Sequence, residues 1–568
     1  MPSPQLDLYQ TSLSAALQAL ADDPDREREI FNYADAVMLL WHLDLEPARP
    51  VLEAGYAGDR RSADRWDPVV MLRCLLLAGL VGLPDPNRFA ARLRSSPVLR
   101  ALGGVQTPPE GSRRAPSPSV GSIYDFMHRL HDGKRHTGVS GEERASDVER
   151  RAAKTPRPPW HARPDLDGDE DRKPQSSQRK KKKRTGRGKP GPRGSRGKRQ
   201  SKNNGAAAAI AAVTAVEDLA NPDDLTQRLL EILWQCGVLP SADKGLLGDV
   251  SALITCGDGS PLETNASGLG HKLCPCSRRD RCSCDRHFAD PDATRGYDSY
   301  RKKYFFGHWW YELAVGSEGH DLPLGLELFP AHFTDYHASI KVTERLHKHI
   351  RDHTDDWHMA VHVADSGEDG AANHAYLRSR GIRPVIATGG NLPAVHPDRP
   401  ELKLSKRGIP MCQAEVEMKS WGRGGPGRRS AGPPQFVCPV KGGKLDRCPL
   451  APDDDPHWVC QPGTRFGPTV NLNTKRHPRL FPEISRNSPQ FHQLYAQRTA
   501  CERSNAVKKK TLGIDNCGHR RHSFWLIRLY VAALTQHAKA WVAGADAKAW
   551  LTELIETRAL PPPVQQAA

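Results

Sequence analysis

The spacing of apolar and polar residues differs between two parts of the chain. From residue 1 to about 135, apolar positions recur at the spacing of amphipathic helices, which predicts an all-helical N-terminal domain. From about residue 250 the apolar runs become short and are bounded by glycine, which is typical of strands. A long apolar helix is predicted further on, over residues 523–542.

Between residues 250 and 390 the strand and helix signals alternate and predict a mixed α/β sheet. The first strand, residues 251–256, is predicted to end at a glycine turn that carries Asp258, with residues 261–266 returning from it. A later strand ends at a second acid, Asp365. The other predicted elements are a hairpin over residues 304–315 and 322–330, a helix over 339–353, a strand over 358–365, a helix from about 370 to 381 and a strand over 384–388.

Residues 495–510 carry most of the candidate chemistry. The segment has no proline or glycine and is rich in good helix formers, which predicts one helix of about four turns. Tyr495, Arg498, Glu502 and Lys509 then lie along one stripe of that helix. A site that holds a metal ion and a phosphate backbone needs such a carboxylate beside cations. The alternative is an exposed helix whose charges only pair along its surface.

The pattern Tyr-x2-Arg-x3-Glu-x6-Lys in this segment resembles the signature helix of bacterial insertion-sequence transposases with a DDE triad. The resemblance implies a ribonuclease-H-like α/β catalytic core with a cysteine-containing insertion, preceded by an all-helical domain that recognises DNA ends. One departure is Gly259 with Ser260 after the first acid, where many relatives have Thr or Ser-Thr. Further matching segments are residues 290–297, 306–308, 365–367, 381–386 and 478–481.

The resemblance also implies a site and a reaction. Asp258 would leave the first strand and Asp365 the fourth, and with Glu502 they would hold two Mg²⁺ or Mn²⁺ ions about 4 Å apart. Tyr495, Arg498 and Lys509 would bind DNA. The implied enzyme is a DNA transposase, a homodimer on DNA, that cuts the terminal inverted repeats of an insertion sequence and joins them to target DNA by two-metal phosphodiester hydrolysis and transesterification. Two alternatives stay open: a metal-dependent DNA nuclease, and a non-enzymatic, zinc-stabilised DNA-binding protein derived from a transposase.

The charge balance indicates the same kind of partner. Lys and Arg outnumber Asp and Glu by 82 to 66 in 568 residues, and the net charge of +16 favours a polyanion such as double-stranded DNA. Residues 136–205 are predicted to be a disordered basic linker, which either binds phosphates without reading sequence or only keeps the chain soluble. No apolar run reaches the length of a membrane span, so we expect a cytoplasmic, nucleoid-associated protein without membrane contact.

Two groups of four cysteines have residue types that suit zinc. Each group could close a tetrahedral Zn²⁺ site, with reduced, metal-free thiols as the alternative. The groups are Cys274, Cys276, Cys282 and Cys284, and Cys412, Cys438, Cys448 and Cys460. The predicted layout is a helical domain (1–135), the linker (136–205), the first part of the core (206–390), an insertion with the second cysteine group (391–488), the catalytic Glu helix with the closing helix of the core (489–545) and a tail (546–568).

Overall fold

The computed structural model describes residues 3–56, 65–106, 115–132, 224–272, 286–317, 319–390, 392–423, 434–455, 457–516 and 518–557. The predictions for the basic linker and for the first cysteine group, Cys274, Cys276, Cys282 and Cys284, fall outside the described residues. They therefore stay predictions.

The N-terminal part of the chain is helical, as predicted. Several of its helices begin with proline in the first turn behind a Ser or Asp cap, because proline lacks the N–H that a helix start leaves unpaired. Asp67, for example, accepts hydrogen bonds from the backbone N–H groups of Val69 (2.8 Å) and Val70 (3.2 Å). The described helices are α1 (Pro4–Ala21), α2 (Pro24–Asn32), α3 (Ala34–His42), α4 (Arg49–Ala54), α5 (Pro68–Leu80), α6 (Pro86–Ser95), α7 (Pro97–Leu102) and α8 (Val120–Asp132).

A six-stranded mixed sheet follows, so the predicted α/β class is confirmed at that level. Its strands are β1 (Leu253–Glu263), β4 (Thr294–Asp298), β5 (Lys303–Ser317), β6 (His320–Pro330), β7 (Met359–Ala364) and β8 (Arg383–Ile386), while β2 (His271–Lys272) and β3 (Arg286–His287) form a separate ladder. Strands β6, β5 and β1 are antiparallel neighbours, and β4 pairs with the first part of β5. On the other side of β1, strands β7 and β8 continue the sheet in parallel.

The helices of the second half of the chain surround this sheet. Helix α11 (Asp335–His353) begins four residues before its predicted start. Side chains from α11 approach β1 on the face of Gly259. Helix α14 (Thr499–Ala506) covers the opposite face, where its Ala500 lies against Gly316 of β5. The helices are α9 (Leu225–Leu233), α10 (Leu239–Asp243), α11 (Asp335–His353), α12 (Ala371–Ser379), α13 (Pro489–Tyr495), α14 (Thr499–Ala506), α15 (His522–Trp541) and α16 (Ala547–Glu556).

One buried apolar cluster joins the N-terminal helices to α15, α16 and the sheet. Trp41 of α3 packs edge-on against Trp550 of α16, with ring centroids 5.5 Å apart, and Arg528 of α15 donates to the backbone carbonyl of Leu75 at 2.8 Å. The predicted tail from residue 546 therefore begins instead with a packed helix, because Trp550 and Leu554 complete the core. None of the described helices combines the length and apolar character that a membrane-spanning helix needs.

Two local predictions are wrong. The glycine turn expected at Asp258 does not form, and β1 runs unbroken through Gly257 and Gly259. Glycine is needed there for space, because a Cβ would collide with the Tyr311 hydroxyl at Gly257 and with Asp335 at Gly259. Residues 495–510 are also not one regular helix: α13 ends at Tyr495, a 3₁₀ turn (Ala496–Arg498) leads into α14, and a π-helical turn (Val507–Thr511) follows.

The insertion predicted over residues 391–488 has an apolar cluster of its own, as a separate subdomain requires. Its short strands are β9 (Val395–His396), β10 (Arg399–Lys403), β11 (Lys419–Arg423), β12 (Pro434–Val437) and β13 (Val470–Asn471). The buried side chains of the cluster are Leu404, Ile409, Met418, Phe436, Leu472, Leu480 and Phe481.

Candidate active site

Two of the predicted acids stand where two parallel strands part. The described pairing of β1 with β7 ends at Cys256 and Val363. Asp258 and Asp365 each lie two residues beyond that pair, Asp258 still on β1 and Asp365 just past the end of β7. Binding sites in open α/β sheets usually lie outside the carboxyl ends of parallel strands. The register therefore places both acids at the same end of the parallel strand pair.

Asp258 lies at the centre of a group of carboxylates. Its side chain is largely buried, and burial raises its pKa well above the ordinary value; the nearby Asp335, Asp365 and Glu502 carboxylates raise it further. Arg498 offsets part of this repulsion. The structure thus brings the three predicted acids together and adds a fourth. We call Asp258, Asp335, Asp365 and Glu502 the acid cluster.

Glu502 is positioned by the buried side of α14. Cys501, its neighbour, is fully buried, and its Sγ donates to the backbone carbonyl of Cys256 at 2.7 Å. Asn505, nearly one turn further on, donates from Nδ2 to Asp258 Oδ2 at 3.4 Å. These contacts fix the helix against β1 and leave Glu502 partly exposed, close enough to Asp258 to raise the pKa of that carboxyl.

A buried ion pair ties the same helical segment to β5. Lys508 Nζ lies 2.7 Å from Glu312 Oε2, and both side chains are fully buried. Ser504 Oγ accepts from Lys508 at 2.9 Å and donates to Glu312 Oε1 at 2.5 Å. Sequence reasoning missed this pair because the run of lysines 508–510 is typical of a solvated segment.

Asp335 is the functional candidate that sequence reasoning missed. It stands in the first turn of α11, where its Oδ1 accepts a hydrogen bond from Trp309 Nε1 at 2.7 Å. Burial raises its pKa to about 7; the Trp309 bond opposes this shift, and the Glu368 and Asp365 carboxylates add to it. The available signal was the pair Thr334 and Asp335, since a Thr before an acidic residue is typical of a helix start.

Hydrogen bonds to the buried acid Glu368 support the loop that follows β7. Asp365 Oδ1 accepts from the backbone N–H of Gly367 at 2.6 Å, which fixes the carboxylate at the strand end. Glu368 is buried, and its two oxygens accept from the Tyr311 hydroxyl at 2.5 Å and face His362 Nε2 at 3.1 Å. The position of Asp365 is therefore set by hydrogen bonds on both sides of the loop.

Asp369, at the far end of this loop, has a different environment. Its fully buried carboxylate receives four donors: His374 Nε2 (3.2 Å), the Gly389 backbone N–H (2.9 Å), Arg479 (3.2 Å) and Arg486 (3.4 Å). Burial alone would raise its pKa, but these partners together lower the pKa to about 2. We call Asp369 and its four donors the Asp369 network.

The three predicted DNA-binding residues, Tyr495, Arg498 and Lys509, all lie near the acid cluster. Arg498 forms an ion pair with Glu502 at 2.5 Å, and its guanidinium lies 5.8 Å from the centroid of the Tyr495 ring. Lys509 leaves the predicted stripe, because the π-helical turn rotates it over the ring of Trp310, 4.9 Å from the centroid. Burial lowers the pKa of Lys509, and Asp258 is among the acids close enough to raise it.

The second cysteine group is split in the structure. Cys438 and Cys448 are buried, and both raise the pKa of the half-buried Cys460 after the effect of burial itself. Cys412 packs instead at the edge of the apolar cluster of the insertion. Cys438 and Cys448 therefore both lie near Cys460, although among the described residues these three sulfur atoms do not all lie within 4.8 Å of one another. Zinc at this group stays a prediction.

No known protein-family model and no curated protein matches this chain.

Proposed function

We propose that this protein is a DNA transposase of the DDE type, with a ribonuclease-H-like catalytic core. The observation that carries the proposal is the convergence of Asp365 and Glu502 on Asp258 from three separate elements. The sheet order supports the same proposal, because the first strand has antiparallel neighbours on one side and parallel strands on the other. Fold likeness alone would not assign a reaction, and the acids supply that part of the argument.

The chemistry of the acid cluster suits divalent cations. Carboxylate oxygens are the ligands that Mg²⁺ and Mn²⁺ prefer, and mutually repelling acids bind a cation more readily than a neutralised group does. Asp258, Asp365 and Glu502 would hold the ions, with Asp335 beside them. When bound, two such ions would supply an activated attacking oxygen and stabilisation of the leaving oxygen.

The remaining residues would position DNA. Arg498 and Lys509 both lie close enough to Asp258 for its charge to favour their protonated forms, and they would contact phosphate oxygens near the cut. Tyr495, stacked on Phe491 with ring centroids 5.5 Å apart, would contact the backbone or a displaced base. The Trp309 bond to Asp335 would hold that carboxylate in place while DNA binds.

The turn between β4 and β5 supports a nucleic-acid partner. Tyr300 is 94% exposed there and is followed by the exposed cations Arg301 and Lys302. Aromatic rings interleaved with cations suit stacking on bases and contact with phosphates. Arg301 lies close enough to Lys509 to lower its pKa, and Lys509 also lies near Asp258, so this turn is close to the acid cluster. Double-stranded DNA is therefore the proposed partner, and a homodimer on DNA stays a prediction.

The test is a Mg²⁺-dependent assay on duplex DNA that carries the inverted repeat flanking the gene. We expect nicked and joined products from the wild type. Asp365→Asn should lower cleavage by about 10³-fold or more, because it removes a charged metal ligand. Its DNA binding, measured by gel shift, should change by less than about twofold.

Asp355→Asn is the matched control, since Asp355 is an exposed acid in the turn between α11 and β7. It should cleave like the wild type. Full activity of Asp365→Asn would remove Asp365 from the site. Cut products without joined ones would favour the nuclease, and DNA binding without any cutting would favour a non-enzymatic protein.

A further inference from the structure

We propose that Glu231, His349 and His353 form a binding site for one Zn²⁺ ion between α9 and α11. His349 and His353 are four residues apart and so share one face of α11. Glu231 comes from α9, which packs on that face. The site is separate from the acid cluster and from the cysteines, and it rests on neither.

The distances match those between ligands of a tetrahedral ion. His353 Nε2 lies 2.9 Å from Glu231 Oε2, and His349 Nε2 lies 3.8 Å from the same oxygen. Zn²⁺ binds His nitrogen and carboxylate oxygen at about 2.0–2.1 Å, so tetrahedral ligands are separated by roughly 3.3 Å. The two measured distances bracket that value. In the described part of the chain, this is the group of three metal-ligating side chains whose ligand atoms all lie within 4.8 Å of one another.

The surrounding hydrogen bonds turn the correct ring atoms toward Glu231. His353 Nδ1 donates to the backbone carbonyl of His349 at 2.8 Å, so in the neutral ring Nε2 has a lone pair and is the atom that faces Glu231. Gln227 Nε2 lies 3.0 Å from His349 Nδ1. A 180° flip of the amide exchanges its nitrogen and oxygen, and the Gln227 oxygen would then accept from His349 Nδ1. Zinc-binding histidines usually donate their other ring N–H in this way.

The alternative to a bound ion is an ion pair between protonated His353 and Glu231, and this pair does not account for the position of His349. It leaves His349 Nε2 buried and without a hydrogen-bond partner among the described residues. Such an orphaned nitrogen costs free energy, whereas a shared cation would satisfy all three ligand atoms. The side chains of His353 and Glu231 are 29% and 23% exposed, so water can reach the fourth position.

The ligand set also selects the metal. Two imidazole nitrogens and one carboxylate favour Zn²⁺ over Mg²⁺, which prefers oxygen ligands. The ion would cross-link α9 to the C-terminal end of α11, the helix that begins at Asp335. Trp234 closes the site from one side, with its ring 4.9 Å from that of His349. The expected role is therefore structural support for the helix that carries a member of the acid cluster.

The experiment measures zinc in the purified full chain by mass spectrometry after loading with Zn²⁺ and dialysis. His353→Gln and Glu231→Gln should each retain one zinc equivalent fewer than the wild type, whatever the cysteines bind. His347→Gln, on the same helix but outside the site, should retain as much zinc as the wild type. Added Zn²⁺ should also raise Tm more in the wild type than in either site variant, since a ligand that binds only the folded state stabilises it.

Equal zinc content in the wild type, His353→Gln and Glu231→Gln would overturn the proposal. Should His353→Gln fail to fold by circular dichroism, the partly exposed Glu231→Gln decides the matter. A crystal soaked in Zn²⁺ gives the direct readout. An anomalous peak within bonding distance of all three side chains is expected, and its absence there at full zinc loading elsewhere would contradict the assignment.

Discussion

The acid cluster lies at one end of the loop from Asp365 to Asp369, the Asp369 network lies at the other, and the electrostatics of the two groups differ. In the acid cluster, four carboxylates lie near one another and near Arg498, and the pKa of Asp258 is raised well above its ordinary value. In the Asp369 network, one carboxylate accepts hydrogen bonds from four donors, and the pKa of Asp369 is lowered to about 2. Burial works in the same direction at both ends. The partners decide the outcome.

The difference separates two uses of a buried acid. A carboxylate whose oxygens are all hydrogen-bonded stabilises the fold and has little left to offer a ligand. Carboxylates that repel one another weaken the fold and gain most when a cation arrives. The Asp369 network therefore holds the insertion against the core through Arg479 and Arg486, whereas the acid cluster is the proposed site of metal binding and cleavage.

The largest expected effect tests the Asp369 network. Asp369→Asn removes the charge that two arginines and His374 face, and leaves their donors poorly paired in a buried site. We expect the free energy of unfolding to fall by about 3 kcal/mol. Urea denaturation measures this, with Asp355→Asn as the exposed control, expected to stay within about 0.5 kcal/mol of the wild type. A loss no larger than that of the control would show that the network is not stabilising.

The pH dependence of stability should differ in sign between the two ends. Asp335 has a folded pKa of about 7 against an ordinary 3.8, so its contribution to stability is full below about pH 4 and is lost as pH rises toward 7. Asp369 has a lowered pKa, so its contribution is full above about pH 4 and is lost only as pH falls toward 2.

Urea denaturation without divalent cations checks both signs. Between pH 4 and 7 the stability of the wild type relative to Asp335→Asn should fall with a slope of at most about 1.4 kcal/mol per pH unit, the value for one proton. The stability relative to Asp369→Asn should stay flat over that range. The same pH dependence of stability relative to both variants would contradict the predicted difference between Asp335 and Asp369.

A smaller effect is expected on the reaction itself. Asp335→Asn should lower Mg²⁺-dependent cleavage by about tenfold, as is usual for a residue that supports metal ligands. Trp309→Phe, which removes the hydrogen bond to Asp335 but keeps a smaller aromatic ring at that position, should lower cleavage by less. A loss in Asp335→Asn as large as that in Asp365→Asn would instead make Asp335 a full member of the ligand set.

Sequence patterns predicted those parts of the site that depend on local order. Asp365 follows a run of six buried residues, and its place at the end of β7 follows from that run. The sequence places Asp258 next to a turn, because glycine residues on both sides of it are typical of turns. In the structure these glycines lie within a strand and make room for the side chains of Tyr311 and Asp335, which a local pattern does not show.

Other features depend on distant contacts that no local pattern carries. Asp369 meets Arg479 and Arg486, which are more than a hundred residues away along the chain. Lys508 is buried because the π-helical turn rotates it toward Glu312, while its neighbour Lys510 stays exposed. A charge run of this kind looks the same in sequence whether or not one member is buried.

The most direct test of the central claim is Mn²⁺ binding to the acid cluster, followed by electron paramagnetic resonance. The wild type should bind two Mn²⁺ ions close enough to couple magnetically. Asp258→Asn should lose the coupled signal while keeping its fold, because it removes the carboxylate at the centre of the cluster. An unchanged coupled signal in that variant would contradict the account.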